Sequence, residues 1–152
     1  MPDNTKTMPT VLLVDDSLLM RTANQQILKR AGYTVLTAGD GEEALNLVRQ
    51  HCPDLVILDL MLPKLGGDLV LEALRKDKTT ARLPVIVLSS LSQKNEPRLL
   101  QAGASAFVEK SRLLDKPQGL VDIVEQVLRT SSGRSCAGWP QYSSERDAEV
   151  QF

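Results

Sequence analysis

Aromatic residues are scarce, with one Trp, two Tyr and two Phe in 152 residues, so the core must be built from aliphatic side chains. Cysteine is nearly absent as well. Cys52 and Cys136 lie far apart with no ligand-type spacing, which excludes a disulfide-stapled scaffold and a cysteine zinc site, and both are expected to be reduced thiols. Neither charge is in excess. A net charge of -1 gives no basic footprint for nucleic acid or an anionic membrane, so a general DNA-binding role is not supported. No apolar run approaches the roughly 20 residues of a membrane span, and the polar leader has no signal-peptide core. A cytoplasmic protein without membrane contact is expected.

What the sequence does contain is an ordinary globular composition, 42% hydrophobic and 24% charged, at a length that suits one domain. Five short aliphatic runs recur: Val11–Val14, Thr34–Thr37, Leu55–Leu58, Val85–Leu88 and Ala106–Glu109. Most are continuous rather than alternating, as in strands buried on both faces. Helical spacing fills the gaps. The first helix is expected from the N-cap Ser17 to Ala31, stopped by Gly32; the second opens at Asp40, with Glu43 as its capping-box partner, and ends before Pro53.

A third helix is expected at about Asp68–Arg75, and a fourth from near Glu96-Pro97 to Gly103. The fifth runs over roughly Gln118–Arg129, with Leu120, Val124, Val127 and Leu128 as its apolar stripe. Strand and helix alternate five times. The reading is therefore an α/β three-layer sandwich with right-handed crossovers, a flavodoxin-like, doubly wound parallel sheet of five strands. Residues 1–9 are expected to be a disordered leader and 10–130 the domain. Residues 131–152, rich in Ser, Gly and Arg without periodicity, read as a disordered tail; a docking peptide anchored by Trp139 is the sharper alternative.

The first and third runs end in aspartate, at Asp15-Asp16 and at Asp59. In the order 2-1-3-4-5, strands 1 and 3 flank the point where winding reverses, and ligands bind at the carboxyl ends of the strands. Three carboxylates would then share one crevice and repel one another. A divalent cation relieves that repulsion, and hard oxygen ligands with room for water suit Mg²⁺, which is held by one or two carboxylates plus a phosphate. Strand 4 ends at Ser89-Ser90 and strand 5 leads to Lys110, adding a hydroxyl donor and an ammonium. Phosphoryl transfer runs mainly on positioning and charge neutralisation, so this inventory suffices if one Asp is the nucleophile.

These residues, in this order, resemble the receiver domain of bacterial response regulators, the two-component signalling family that includes the chemotaxis regulators. The resemblance covers about Thr10 to Thr130 and rests on Val-Asp-Asp-Ser at 14–17, Leu-Asp-Leu-Met-Leu-Pro at 58–63 followed by Gly66-Gly67, Pro84 to Ser90, Ala102-Gly103-Ala104, and Lys110. It implies that Asp59 is the phosphoacceptor, Asp16 a direct metal ligand, Asp15 a ligand through metal-bound water, and the Met61 carbonyl a further ligand. It also implies Ser89 as switch hydroxyl, Lys110 as the partnering lysine and Phe107 as the aromatic switch. The implied cofactor is Mg²⁺. The implied partners are a sensor histidine kinase or phosphotransfer protein and a downstream target on the helix 4/strand 5/helix 5 face, with the chain a monomer or a phosphorylation-dependent dimer and no nucleic acid bound.

Two departures stand out. Ser111 follows Lys110 where the family usually has a proline, often in cis; a non-proline cis bond costs about 2.5–4 kcal/mol, so this loop is expected to differ. Phe107 lacks the hydroxyl of the tyrosine often found there. Met61 and Leu91, which the resemblance places beside the path of the hydrolytic water, cannot orient it, and slow self-dephosphorylation is expected.

Rival readings are a phosphorelay intermediate, a receiver belonging to a longer regulator, and an aspartyl-phosphate phosphohydrolase. The last generally has a second Asp two positions after the nucleophile, where this chain has Met61. His51, the sole histidine, sits at a helix end where an imidazolium suits the dipole, and is read as structural rather than as a phosphodonor. Gly66-Gly67 is not followed by Lys-Ser/Thr, so a Walker site is rejected in favour of a turn.

Overall fold

The computed structural model describes residues 8–62, 64–89, 100–110, 116 and 118–130. Five strands, β1 Thr10–Val14, β2 Thr34–Ala38, β3 Leu55–Asp59, β4 Val85–Ser89 and β5 Ala106–Glu109, form one sheet in the order β2-β1-β3-β4-β5. Every pairing is parallel. The helices among the described residues are α1 Leu18–Arg30, α2 Gly41–His51, α3 Gly67–Lys76 and a closing helix, Gln118–Thr130. The doubly wound order read from the sequence is the one observed.

Side chains alternate across the sheet and divide the core in two. Leu12, Val14, Val56, Leu58, Val85 and Val87 pack with Ala44 and Val48 of α2 and Val70, Leu71 and Leu74 of α3. Val11, Leu13, Leu55, Ile57, Ile86 and Leu88 pack with Leu28 of α1 and with Leu120, Val121, Val124 and Val127 of the closing helix. Both faces of each central strand are thus covered, which is why these strands read as unbroken aliphatic runs. Leu69 departs from the buried pattern: it is exposed, and Val70 takes the inward position on α3.

The helix ends follow the capping residues. The Ser17 Oγ accepts from the Met20 N–H at 3.3 Å, and the Asp40 Oδ1 accepts from the Glu43 N–H at 2.8 Å, a bond that holds the Asp40 carboxyl below its ordinary pKa. Glu43 reaches back one residue further than the capping-box pattern requires, its Oε1 accepting from the Gly39 N–H at 2.9 Å. Arg75, at the end of α3, donates to the Gly103 carbonyl through Nε and Nη2 at 3.0 and 2.7 Å and to the Thr80 carbonyl through Nη1 at 3.2 Å. It ties α3 to the turn entering β5, and burial lowers its pKa.

One expectation is overturned. Cys52, the left-handed C-cap of α2, is engaged in a disulfide and is not a reduced thiol. Spacing alone does not mark a cysteine that is engaged in this way. Cys136, the leader before residue 8, the tail and most of the expected fourth helix lie outside the described residues. Among the described residues no helix is long and apolar enough to cross a membrane.

Candidate functional site

Register places the candidate residues at one edge of the sheet. Val14 pairs with Leu58, Asp59 with Leu88, and Ser89 with Glu109, so the residues that leave these strands emerge side by side. Carboxylate oxygens of Asp15, Asp16 and Asp59 lie within 4.8 Å of one another. Asp15 and Asp59 are buried and Asp16 is exposed, so the cluster has a closed floor and an open mouth.

Lys110 spans the floor. Its Nζ lies 3.0 Å from Asp59 Oδ2 and 3.2 Å from Asp15 Oδ2. The first contact is a hydrogen bond; the second is an ion pair without hydrogen-bond geometry, which leaves the buried Asp15 Oδ2 without a hydrogen-bond partner. The other Asp59 oxygen, Oδ1, accepts from the Met61 N–H at 3.1 Å, and Asp15 Oδ1 accepts from the Ser17 N–H at 2.9 Å. Two carboxylates are therefore aimed by backbone amides and held by one ammonium.

Burial pushes the Asp59 carboxyl above the usual carboxylate range, outweighing the Lys110 bond and the Met61 amide, which pull it down. Burial also works against the charge on Lys110, but there the bonds and fields of Asp59 and Asp15 prevail and its pKa rises. The Asp59 shift reflects burial, and the Lys110 shift reflects the two carboxylates that it faces. Hard oxygens, a buried carboxylate oxygen that accepts no hydrogen bond and an exposed third carboxylate fit a small divalent cation such as Mg²⁺.

Ser89 is fully buried at the end of β4, and Phe107 is buried in β5 on the sheet face that carries α2 and α3. Met61 is exposed at the mouth, with 59% of its surface accessible. Ser90, Leu91 and Ser111, and with Ser111 the Lys110–Ser111 bond, fall outside the described residues. His51 is the exposed last residue of α2, away from the strand ends that carry the aspartates.

Two residues hold places at the site that the sequence reading did not assign: Gly67, read there only as part of a turn, and Arg21. A β-carbon on Gly67 would overlap the Asp59 carbonyl oxygen and lie 2.7 Å from Leu60 Cα, so only glycine lets α3 start against the end of β3. Arg21 donates from Nη1 to the Asp15 carbonyl at 2.7 Å. Residue type and spacing carried no signal for that contact.

Comparison with known proteins accords with this geometry. The profile of the response regulator receiver domain matches residues 11–125. A probable transcriptional regulator, ycf27, of Guillardia theta is 40% identical over 128 residues, which are 84% of this chain and 48% of that protein. The polar-differentiation response regulator DivK of Brucella ovis is 32% identical over 102 residues, 66% of this chain and 83% of that one. The solved structure of the chemotaxis response regulator CheY4 of Vibrio cholerae superposes with a TM-score of 0.73 at 30% identity, covering 80% of this chain and 99% of that chain. The chain spans about half the length of the first of these relatives, at 48%.

Proposed function

The chain belongs to the response regulator receiver domain family, and from that premise we propose that it accepts a phosphoryl group onto Asp59 from the phosphohistidine of a sensor kinase or phosphotransfer protein. Receiver domains are signalling modules rather than enzymes that turn over a substrate. The chemistry proposed for this one is confined to its own phosphorylation and slow dephosphorylation, in the cytoplasm. The observation that carries the reading is the convergence of Asp15, Asp16, Asp59 and Lys110 at one strand edge.

In the proposed step an Asp59 carboxylate oxygen attacks phosphorus while the phosphorus–nitrogen bond of the donor breaks, and the departing imidazole takes up a proton from solvent. The Met61 amide holds Asp59 in the direction from which it attacks. Lys110, already against Asp59, offsets the charge that gathers on the phosphoryl oxygens, and the Ser89 hydroxyl is assigned a bond to one of them. Asp15 and Asp16, with Asp59 and the Met61 carbonyl, would hold Mg²⁺. When bound, that ion supplies charge neutralisation for the carboxylates and the incoming phosphoryl group.

The acyl phosphate adds about 1.5–2 negative charges in a site previously balanced by Lys110. Ser89 and Phe107, on β4 and β5, are the groups through which the change would reach the face formed by the expected fourth helix, β5 and the closing helix, where a target protein would dock. Incubation with radiolabelled histidine kinases of the host tests the reading. Label moves to this chain from at least one cognate kinase and does not move to Asp59→Asn; equal labelling of both would place the acceptor elsewhere.

A further inference from the structure

Arg21 closes the first turn of α1, and its Nη1 donates to the Asp15 carbonyl oxygen at 2.7 Å. That carbonyl belongs to the peptide joining Asp15 to Asp16, the plane from which both carboxylates project. The opposite side of the same residue is fixed by the sheet, since the Asp15 N–H donates to the Ala38 carbonyl at 3.1 Å. The guanidinium also runs against the next loop. A β-carbon built on Gly39 would lie 3.0 Å from Nη1, and Gly39 itself is anchored through its N–H to Glu43 at 2.9 Å. The arm of Arg21 is thus lodged between the loops after β1 and β2.

We propose that Arg21 is a positioning residue for the acidic crevice: by clamping the Asp15–Asp16 peptide it presets both carboxylates for Mg²⁺. The inference rests on the reading of the crevice as a Mg²⁺-assisted phosphorylation site. A charged donor on a carbonyl gives a stronger bond than a neutral one, and the planar fork of arginine loses little freedom in making it. Positioning and charge predict opposite signs. Removing a cation near three carboxylates, by itself, tightens the binding of another cation; removing the clamp weakens it.

Calorimetric Mg²⁺ titration of the wild type, Arg21→Met, Arg21→Lys and Gly39→Val decides between them. Arg21→Met raises the Mg²⁺ dissociation constant on the order of tenfold, the low end for groups that orient metal ligands. Arg21→Lys, which keeps the charge but not the fork, falls between it and the wild type. Gly39→Val changes no charge, displaces the guanidinium and shifts affinity in the same direction, which keeps the test alive if Arg21→Met does not fold. The Mg²⁺ concentration that half-saturates phosphoryl uptake from acetyl phosphate rises in parallel. Unchanged or tighter binding in a folded Arg21→Met or Gly39→Val overturns the role of Arg21 alone. A wild type that binds no Mg²⁺ overturns the reading of the crevice, and this inference with it.

Discussion

Gly67 lies so close to Asp59 that a β-carbon there would overlap the Asp59 carbonyl oxygen. The Gly67 N–H also donates to the Leu60 carbonyl at 3.0 Å, so α3 begins on the backbone that carries the proposed phosphoacceptor. Because the obstacle is backbone rather than a flexible side chain, it cannot swing aside. Gly67→Ala therefore costs about 1–3 kcal/mol of stability, as overpacking does elsewhere, and slows phosphoryl uptake by displacing Asp59. Urea melts with uptake kinetics check this; an alanine variant as stable and as reactive as the wild type contradicts it.

Asp59 also sets a pH dependence. Burial raises its folded-state pKa above the unfolded value, so the native state binds the extra proton. Stability then falls as pH rises from the unfolded toward the folded pKa, and stays lowered above it. Asp59→Asn carries no such charge. It melts higher than the wild type at neutral pH without Mg²⁺, and the difference vanishes in acid, where both side chains are neutral. A difference that grows toward acid pH would reverse the assignment.

Lys110 opposes that strain by pairing with both buried carboxylates. Lys110→Met leaves them facing each other and costs about 3 kcal/mol in metal-free protein, the lower end for breaking a buried pair. Added Mg²⁺ restores part of the loss, since a ligand bound only by the native state stabilises it. The folded-state pKa of Lys110 lies above its unfolded value, so its contribution holds below the unfolded pKa and disappears as pH climbs through the folded one. Urea melts with EDTA or with Mg²⁺ measure both effects.

Strands and helix starts were legible because local chemistry sets them. Continuous Val, Leu and Ile runs mark strands covered on both faces, and Ser17 and Asp40 cap the helices expected of them. The crevice was legible because strand ends in a doubly wound sheet converge, which brings Asp15, Asp16 and Asp59 together across 44 positions of sequence separation. What was not legible lies between loops. Nothing local marks the approach of Gly67 to Asp59, the reach of Arg21 to the Asp15 carbonyl, or the disulfide at Cys52. Each depends on which backbone segments meet, and residue type alone does not encode that.

Met61 bears on phosphoryl lifetime. It is exposed at the crevice mouth, and its thioether is a poor partner for the water that would hydrolyse the acyl phosphate. Met61→Asn together with Leu91→Glu shortens the lifetime several-fold by supplying groups that orient that water. Decay of the phosphorylated species followed by mass spectrometry checks it, and an unchanged or slower decay means that water positioning by these two sites is not limiting.

The most direct measurement is the intact mass of the full chain after treatment with acetyl phosphate and Mg²⁺. The account predicts one added phosphoryl group on the wild type, labile as an acyl phosphate, absent when EDTA is present and absent in Asp59→Asn, whose amide is not a competent nucleophile. Stoichiometric phosphorylation of Asp59→Asn, or of the wild type in EDTA, would contradict it.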